Sequence, residues 1–94
     1  MRLKDSVAIV TGGARGLGRA FSLHLAREGA RIMVMNIVLG EKDLKDMKKT
    51  VRLIREAGGE ADFFEGDVTS EKDCQAMAEK TADAYGKISL EKVS

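Results

Sequence analysis

The 94-residue sequence contains no proline or tryptophan, one cysteine, one histidine, three phenylalanines and one tyrosine. With Cys74 and His24 alone, a disulfide framework and the usual Cys/His zinc sites are excluded, and we expect no metal site. Lysine and arginine number 16 against 15 acidic residues, so the charge balance favours neither nucleic acid nor a membrane as a partner. The apolar run from Val7 to Val10 is too short for a signal peptide or a membrane span. We therefore expect a cytoplasmic protein.

Short apolar runs alternate along the chain with segments of helical periodicity, which predicts an α/β fold of order βαβαβα with a parallel sheet. In the first helix, Leu17, Ala20, Phe21 and Leu25 are expected to form the inward face, with His24 beside them. In the third helix, Ser70 and Asp73 resemble a capping box. The predicted strands cover 7–10, 31–35 and 61–64, and the predicted helices lie within 17–28, 44–57 and 71–85.

A glycine-rich turn separates the first strand from the first helix and contains Gly12, Gly13, Gly16 and Gly18. Such a turn lets backbone N–H groups and the helix dipole hold a phosphate. The spacing from Gly13 to Gly18 fits a P-loop, but Arg19 and Ala20 stand where that loop needs Lys and Ser or Thr. Phe21 replaces the third glycine of the G-x-G-x-x-G pattern. Neither general nucleotide motif therefore fits.

The segment from Thr11 to Gly18, TGGARGLG, resembles the T-G-x-x-x-G-x-G turn of the classical short-chain dehydrogenase/reductase family. The resemblance continues through GARIMVMN and EGDVTS, over about residues 5–88. It implies a partial Rossmann fold, a doubly wound parallel sheet with strand order 3-2-1, that binds a nicotinamide dinucleotide. The implied cofactor-binding residues are Gly12, Ala14, Arg15, Gly16, Leu17 and Gly18 at the pyrophosphate, Asn36 and Ile37 at the ribose, and Asp67 and Val68 along the adenine.

Asp67, taken alone, is better interpreted as a turn former. The choice between NADP and NAD depends on Arg15 and Asn36. An acidic residue at the end of the second strand would accept hydrogen bonds from the ribose and repel a 2′-phosphate, whereas Asn36 carries no charge. Arg15 lies in the turn and could reach that phosphate, but Ile37 supplies no second cation. We expect a small preference for NADP, with NAD as the alternative.

The family's catalytic Tyr-x-x-x-Lys pair has no counterpart in the sequence, because the single tyrosine, Tyr85, is followed four residues later by Ser89. We expect Tyr85 to pack in the core and His24 and Cys74 to be structural, so no catalytic residue is assigned. The family's fourth strand should begin near Ile88, but ISLEKVS reads as too short and too charged for a buried strand. The predicted domains are an NAD(P)-binding half-domain, 1–88, and a divergent tail, 89–94.

The resemblance implies the NAD(P)-binding portion of an oxidoreductase that moves hydride between nicotinamide and a carbonyl or alcohol. With no catalytic residues assigned, we expect the chain to be truncated before them and inactive alone. The alternatives are a non-catalytic dinucleotide-binding module and a module that completes the sheet of another chain. The edge of the first strand is expected to be open, which would favour a homo-oligomer or a partner chain there.

Overall fold

The computed structural model describes residues 6–14 and 16–85, and the backbone of 89–93. The three predicted strands and three predicted helices are confirmed, and a fourth strand follows them. The elements are β1 (Ser6–Thr11), α1 (Gly16–Arg27), β2 (Arg31–Asn36), α2 (Glu41–Glu56), β3 (Ala61–Glu65), α3 (Glu71–Tyr85) and β4 (Ser89–Val93). In the part of the chain so described, no helix is long and apolar enough to cross a membrane.

The strands form one parallel sheet in the order β3-β2-β1-β4. The prediction that the edge of β1 is open is wrong, because the tail, which reads as too short and too charged for a buried strand, pairs with it as the outermost strand β4. β4 pairs with β1 in register from Ser6 with Ser89 to Val10 with Val93. The charges of the tail do not prevent this, because pairing uses backbone N–H and C=O groups. β1 is a buried strand, and leaving those groups unpaired would be costly.

Helices cover both faces of the sheet, and successive strand residues point to opposite faces. Ala8, Val10, Ile32 and Val34 belong to the buried cluster that includes Met47 and Ile54 of α2. On the other face, Ile9, Met33 and Met35 pack with Met77 of α3, and Tyr85 and Cys74 pack against them. The continuous apolar runs of β1 and β2 therefore reflect burial on both faces.

The predicted inward face of α1 is wrong except at Leu25, which packs against the core. Leu17 and Phe21 are exposed, as are Ala20 and His24, whereas Ser22 is fully buried and Leu23 and Ala26 pack against the core. The Ser22 hydroxyl donates a hydrogen bond to the Gly18 carbonyl oxygen at 2.9 Å, which satisfies the buried polar group. Gly18 and Ser22 face inward because the start of α1 lies very close to the turn that precedes it.

The outer edge of β3 is occupied by side chains from both flanking helices and from β3 itself. Arg55 Nε of α2 donates to the Ala61 carbonyl oxygen at 3.0 Å, and Lys80 Nζ of α3 donates to the Phe63 carbonyl oxygen. The Phe63 N–H donates to Asp62 Oδ1 at 2.8 Å. Unpaired edge groups invite pairing with another chain, so these contacts close one side of the sheet.

Candidate functional site

The three loops that follow β1, β2 and β3 begin side by side at the carboxyl edge of the sheet. The Gly12 N–H donates to the Met35 carbonyl oxygen at 2.9 Å, and the Gly66 N–H donates to the Asn36 carbonyl oxygen at 3.0 Å. These bonds continue the strand pairing past the strand ends. Ligands of open parallel α/β sheets bind outside this edge, so the three loops form the candidate site.

The glycine turn between β1 and α1 has a conformation that requires glycine. Gly12 and Gly16 adopt positive φ values of 70° and 60°, and nothing lies within 4 Å of a Cβ built on either residue. At Gly18, by contrast, a Cβ would lie 2.1 Å from the Gly12 carbonyl oxygen. The start of α1 therefore lies directly against the turn, and its first N–H groups have no partners within the helix. Arg15 lies outside the described residues.

Exposed apolar side chains occur at this edge of the sheet, although most apolar residues in the described part of the chain are buried or half-buried. They come from the start of α1 and from the loops after β2 and β3, so all three loops contribute. Exposed apolar groups beside polar backbone are typical of ligand-binding surfaces. The exposed fractions are 73% for Leu17, 43% for Ile37, 88% for Leu39 and 41% for Val68.

The end of β2 presents a neutral amide. Asn36 is half-buried, and its Nδ2 donates to the Ile37 carbonyl oxygen at 3.0 Å. Two residues further on, the Leu39 N–H donates to Asp43 Oδ2 in the first turn of α2, at 2.9 Å. These local bonds hold the loop that carries Ile37 and Leu39.

The loop after β3 is organised by two carboxylates. Asp67 Oδ1 accepts hydrogen bonds from Thr69 N at 2.8 Å and from Thr69 Oγ1 at 2.7 Å. These bonds, led by the one from the hydroxyl, hold the pKa of Asp67 below its usual value. Asp67 therefore does form a turn, and because both bonds use Oδ1, Oδ2 takes no part in it. The Asp67 N–H in turn donates to Asp73 Oδ2 at 2.9 Å.

The N-terminus of α3 supports the same loop. Ser70 Oγ accepts from the Asp73 N–H at 3.2 Å, which is half of the predicted capping box. The Asp73 carboxylate accepts from Asp67 instead of completing the box. Cys74 also supports this loop, because its Sγ donates to the Val68 carbonyl oxygen at 3.3 Å. α3 thus fixes the backbone on both sides of Val68.

Sequence reasoning missed two residues, Arg19 and Thr50, that hold the glycine turn from the α2 side. Arg19 Nη2 donates to the Ala14 carbonyl oxygen at 2.7 Å, and Arg19 Nε donates to Thr50 Oγ1 at 2.9 Å. Thr50 Oγ1 donates to the same Ala14 oxygen at 2.9 Å. Arg19 and Thr50 are 31 residues apart in the chain, so no local pattern could have indicated this contact.

Tyr85 lies away from the three loops. Its hydroxyl donates to the Ile32 carbonyl oxygen at 3.1 Å, near the beginning of β2, whereas the loop with Ile37 follows the end of that strand. Burial raises the pKa of Tyr85 to about 12, and the charges of Asp62 and Glu60 act in the same direction. The phenol therefore joins α3 to the sheet near the beginning of β2, at the opposite end of the strand from the three loops.

Comparison with known proteins gives a consistent result. A family model described as short chain dehydrogenase matches residues 6–90. The uncharacterized oxidoreductase YxbG of Bacillus subtilis is 37% identical over 89 residues, which cover 95% of this chain and 31% of YxbG. The short-chain dehydrogenase/reductase homolog YusS of the same organism is 32% identical over 90 residues, covering 96% of this chain and 79% of YusS.

Among solved structures, a hydroxysteroid dehydrogenase from Escherichia coli superposes with a TM-score of 0.83 at 29% identity. The match covers 96% of this chain and 36% of that one. The chain thus spans about a third of this dehydrogenase and of YxbG. The family model covers most of the chain, and the fold and the glycine turn agree with it. The chain belongs to the short-chain dehydrogenase/reductase family, whose members bind nicotinamide dinucleotides.

Proposed function

We propose that this chain binds a nicotinamide dinucleotide across the three loops at the carboxyl edge of the sheet. The pyrophosphate would lie on the glycine turn, the adenosine ribose at Asn36 and Ile37, and the adenine along Asp67 and Val68. The observation that carries the proposal is the contact between Gly18 and Gly12, which brings the start of α1 against a turn whose outer surface is open.

The residues present fit such a ligand chemically. Backbone N–H groups at a helix N-terminus, together with the helix dipole, favour an anion such as pyrophosphate. Ala14 is buried below the turn while Leu17 is exposed beside it, so a ligand would cover an apolar side chain as well as backbone. At the other end, exposed Val68 offers an apolar contact to a base, and the Asp67 carboxylate can accept a hydrogen bond from an amino group.

We further propose that NADP is preferred to NAD. Asn36 places no negative charge where a 2′-phosphate would lie, and the amide can still donate or accept a hydrogen bond. Arg15, in the turn itself, would supply the positive charge. NAD remains the alternative ligand, because the loop after β2 supplies no cation at Ile37.

Within the family, the bound dinucleotide exchanges hydride with a carbonyl or alcohol substrate. We propose that this chain supplies the nucleotide-binding part of such an oxidoreductase and does not carry out hydride transfer alone. Its only tyrosine, Tyr85, bonds to the backbone of β2, and no residue of the chain is assigned to proton transfer. YxbG, which is named as an oxidoreductase, supports the reaction class and leaves the substrate open.

Binding to a partner chain is the second candidate function. In the sheet of the described residues β4 is the outermost strand on one side, and side chains cover the opposite edge at β3. Association by strand pairing would therefore use β4. Sedimentation of the chain over a range of concentrations tests this proposal, and a monomer at all concentrations would contradict self-association.

Titration of the chain with NADPH and, separately, NADH tests the main proposal. We expect saturable enhancement of nicotinamide fluorescence and a rise in melting temperature, because a ligand that binds only the folded state stabilises it. NADPH should bind more tightly than NADH. A folded chain that binds neither would contradict the proposal, and steady turnover with a carbonyl substrate would contradict the absence of catalysis.

A further inference from the structure

The carbonyl oxygen of Ala14, in the middle of the glycine turn, accepts two side-chain hydrogen bonds. One comes from Arg19 Nη2 at 2.7 Å and the other from Thr50 Oγ1 at 2.9 Å. Ala14 is 2% exposed, so this carbonyl faces the protein interior. The turn is therefore held from its buried side at Ala14, which follows Gly12 and Gly13 and precedes Gly16 and Gly18.

The two donors also bind each other and α2. Arg19 Nε donates to Thr50 Oγ1 at 2.9 Å, and Arg19 Nη2 donates to the Asp46 carbonyl oxygen at 3.0 Å. Thr50 Oγ1 accepts from Arg19, and its single proton has two acceptors within reach, the Ala14 carbonyl oxygen at 2.9 Å and the Asp46 carbonyl oxygen at 3.3 Å. The Ala14 oxygen is the nearer of the two, so the hydroxyl both donates and accepts within this network. Because Arg19 is in the first turn of α1 and the other two residues are on α2, one guanidinium links two helices and the turn.

We propose that Arg19 and Thr50 are positioning residues for the dinucleotide pyrophosphate, an inference that rests on the proposed function. They hold Ala14 so that the N–H groups of the glycine turn and of α1 point outward to one place. Glycine-rich segments lose much conformational entropy when they become ordered. If the turn is ordered before the ligand binds, this entropy loss does not reduce the binding affinity. Neither side chain needs to touch the ligand, since each acts through the backbone at Ala14.

Thr50→Val and Thr50→Ser form the matched pair that tests this role. Valine preserves the shape of a fully buried side chain and removes the hydroxyl, whereas serine keeps it. We expect Thr50→Val to weaken NADPH binding about tenfold, the equivalent of one lost hydrogen bond. Thr50→Ser should bind within about twofold of the unchanged chain. Arg19→Met should weaken binding at least as much as Thr50→Val.

Adenosine has no phosphate, so its affinity should not depend on the positioning of the turn but should fall if a variant loses structure generally. Comparing the affinities for adenosine and NADPH therefore separates the two effects. The affinity for adenosine, followed by the amide resonance of Val68, should be the same in all four proteins, because the hydrogen bonds described above for the loops after β2 and β3 do not involve Arg19, Ala14 or Thr50. All titrations are made well below the lowest melting temperature of the set. NADPH binding that weakens while adenosine binding is retained supports the proposal.

Two results would overturn the proposal that Arg19 and Thr50 position the pyrophosphate. If Thr50→Val melts at a lower temperature and still binds NADPH like the unchanged chain, the network is only structural. If NADPH and adenosine lose affinity equally, the effect is not specific to the pyrophosphate. Failure of the unchanged chain to bind NADPH or NADH is a different outcome, because it contradicts the proposed function before any variant is compared.

Discussion

A Cβ atom on Gly18 would lie 2.1 Å from the carbonyl oxygen of Gly12 and 2.9 Å from the Cα of Gly13. The neighbour is backbone rather than a movable side chain, so α1 and the turn can be this close only with glycine at position 18. The same closeness explains why Ser22, one turn later, is fully buried while Leu17 and Phe21 are exposed.

Gly18→Ala should displace the turn from α1. We expect the free energy of unfolding to fall by about 1–3 kcal/mol, the usual cost of overpacking, and NADPH binding to fall at least tenfold. Urea unfolding and fluorescence titration measure the two effects. Gly40→Ser is the control, because nothing lies within 4 Å of a Cβ at Gly40 and serine is favoured at a helix N-cap. Equal NADPH affinity in both variants would contradict this interpretation of the turn.

Asn36→Asp should reverse the preference between the two dinucleotides. A carboxylate near the 2′-phosphate costs on the order of 1–2 kcal/mol at a partly exposed site, so NADPH should bind about tenfold more weakly. NADH, with a free 2′-hydroxyl, should bind as well or better. Asn36→Ser controls for loss of the amide without added charge. If Asn36→Asp leaves the NADPH to NADH affinity ratio unchanged, Asn36 does not face the ribose.

Tyr85 should make stability depend on pH in the alkaline range. An unfolded tyrosine loses its proton near pH 10, whereas burial raises the pKa of Tyr85 to about 12 in the folded chain. Its stabilising contribution is therefore complete below pH 10 and is lost as the pH rises toward 12. Tyr85→Phe should be about 1 kcal/mol less stable at pH 7, because it loses the bond to Ile32.

Urea unfolding of both proteins at several pH values from 7 to 11.5 checks this prediction. The stability difference between the unchanged chain and Tyr85→Phe should shrink above pH 10, because only the unchanged chain has this phenol to ionise. A difference that stays constant up to pH 11.5 would mean that the hydroxyl is not protected in the folded state.

Opening the edge of β3 should promote self-association. The double variant Asp62→Ala with Lys80→Ala removes the acceptor of the Phe63 N–H and the donor to the Phe63 carbonyl oxygen. An edge strand with unpaired backbone groups can pair with another chain. Light scattering at increasing concentration should show larger species than for Lys72→Ala, an exposed lysine of the same helix. Identical scattering would contradict a protective role.

The sequence predicted most of the fold, because each element carries its own local signal. The apolar runs of β1 and β2, and the three-and-four spacing of Leu44, Met47, Val51 and Ile54 in α2, depend on neighbours close in the chain. The inward face of α1 was mispredicted because hydrophobicity alone placed Phe21 inside. The tight contact between Gly18 and the turn favours small residues there instead. β4 was missed because its side-chain charges were weighed more heavily than the backbone pairing that β1 requires.

For the candidate site, the spacing of the glycine turn was informative because each glycine position has its own steric requirement. The residues that hold the turn could not be predicted, since Arg19 and Thr50 meet only after α1 and α2 have packed. Asp67 was predictable from the sequence only in part. Its turn-forming role was visible in the sequence as an alternative, and that role leaves one carboxylate oxygen outside the turn bonds.

A map of amide chemical-shift changes on addition of NADPH tests the central claim most directly, because it reports where the ligand binds as well as whether it binds. The account predicts the largest changes at Gly12 to Gly18, at Asn36 and Ile37, and at Asp67 and Val68. Little change is expected near Tyr85, which lies at the other ends of the strands. Saturable changes confined to other surfaces, or no change in a folded chain, would contradict it.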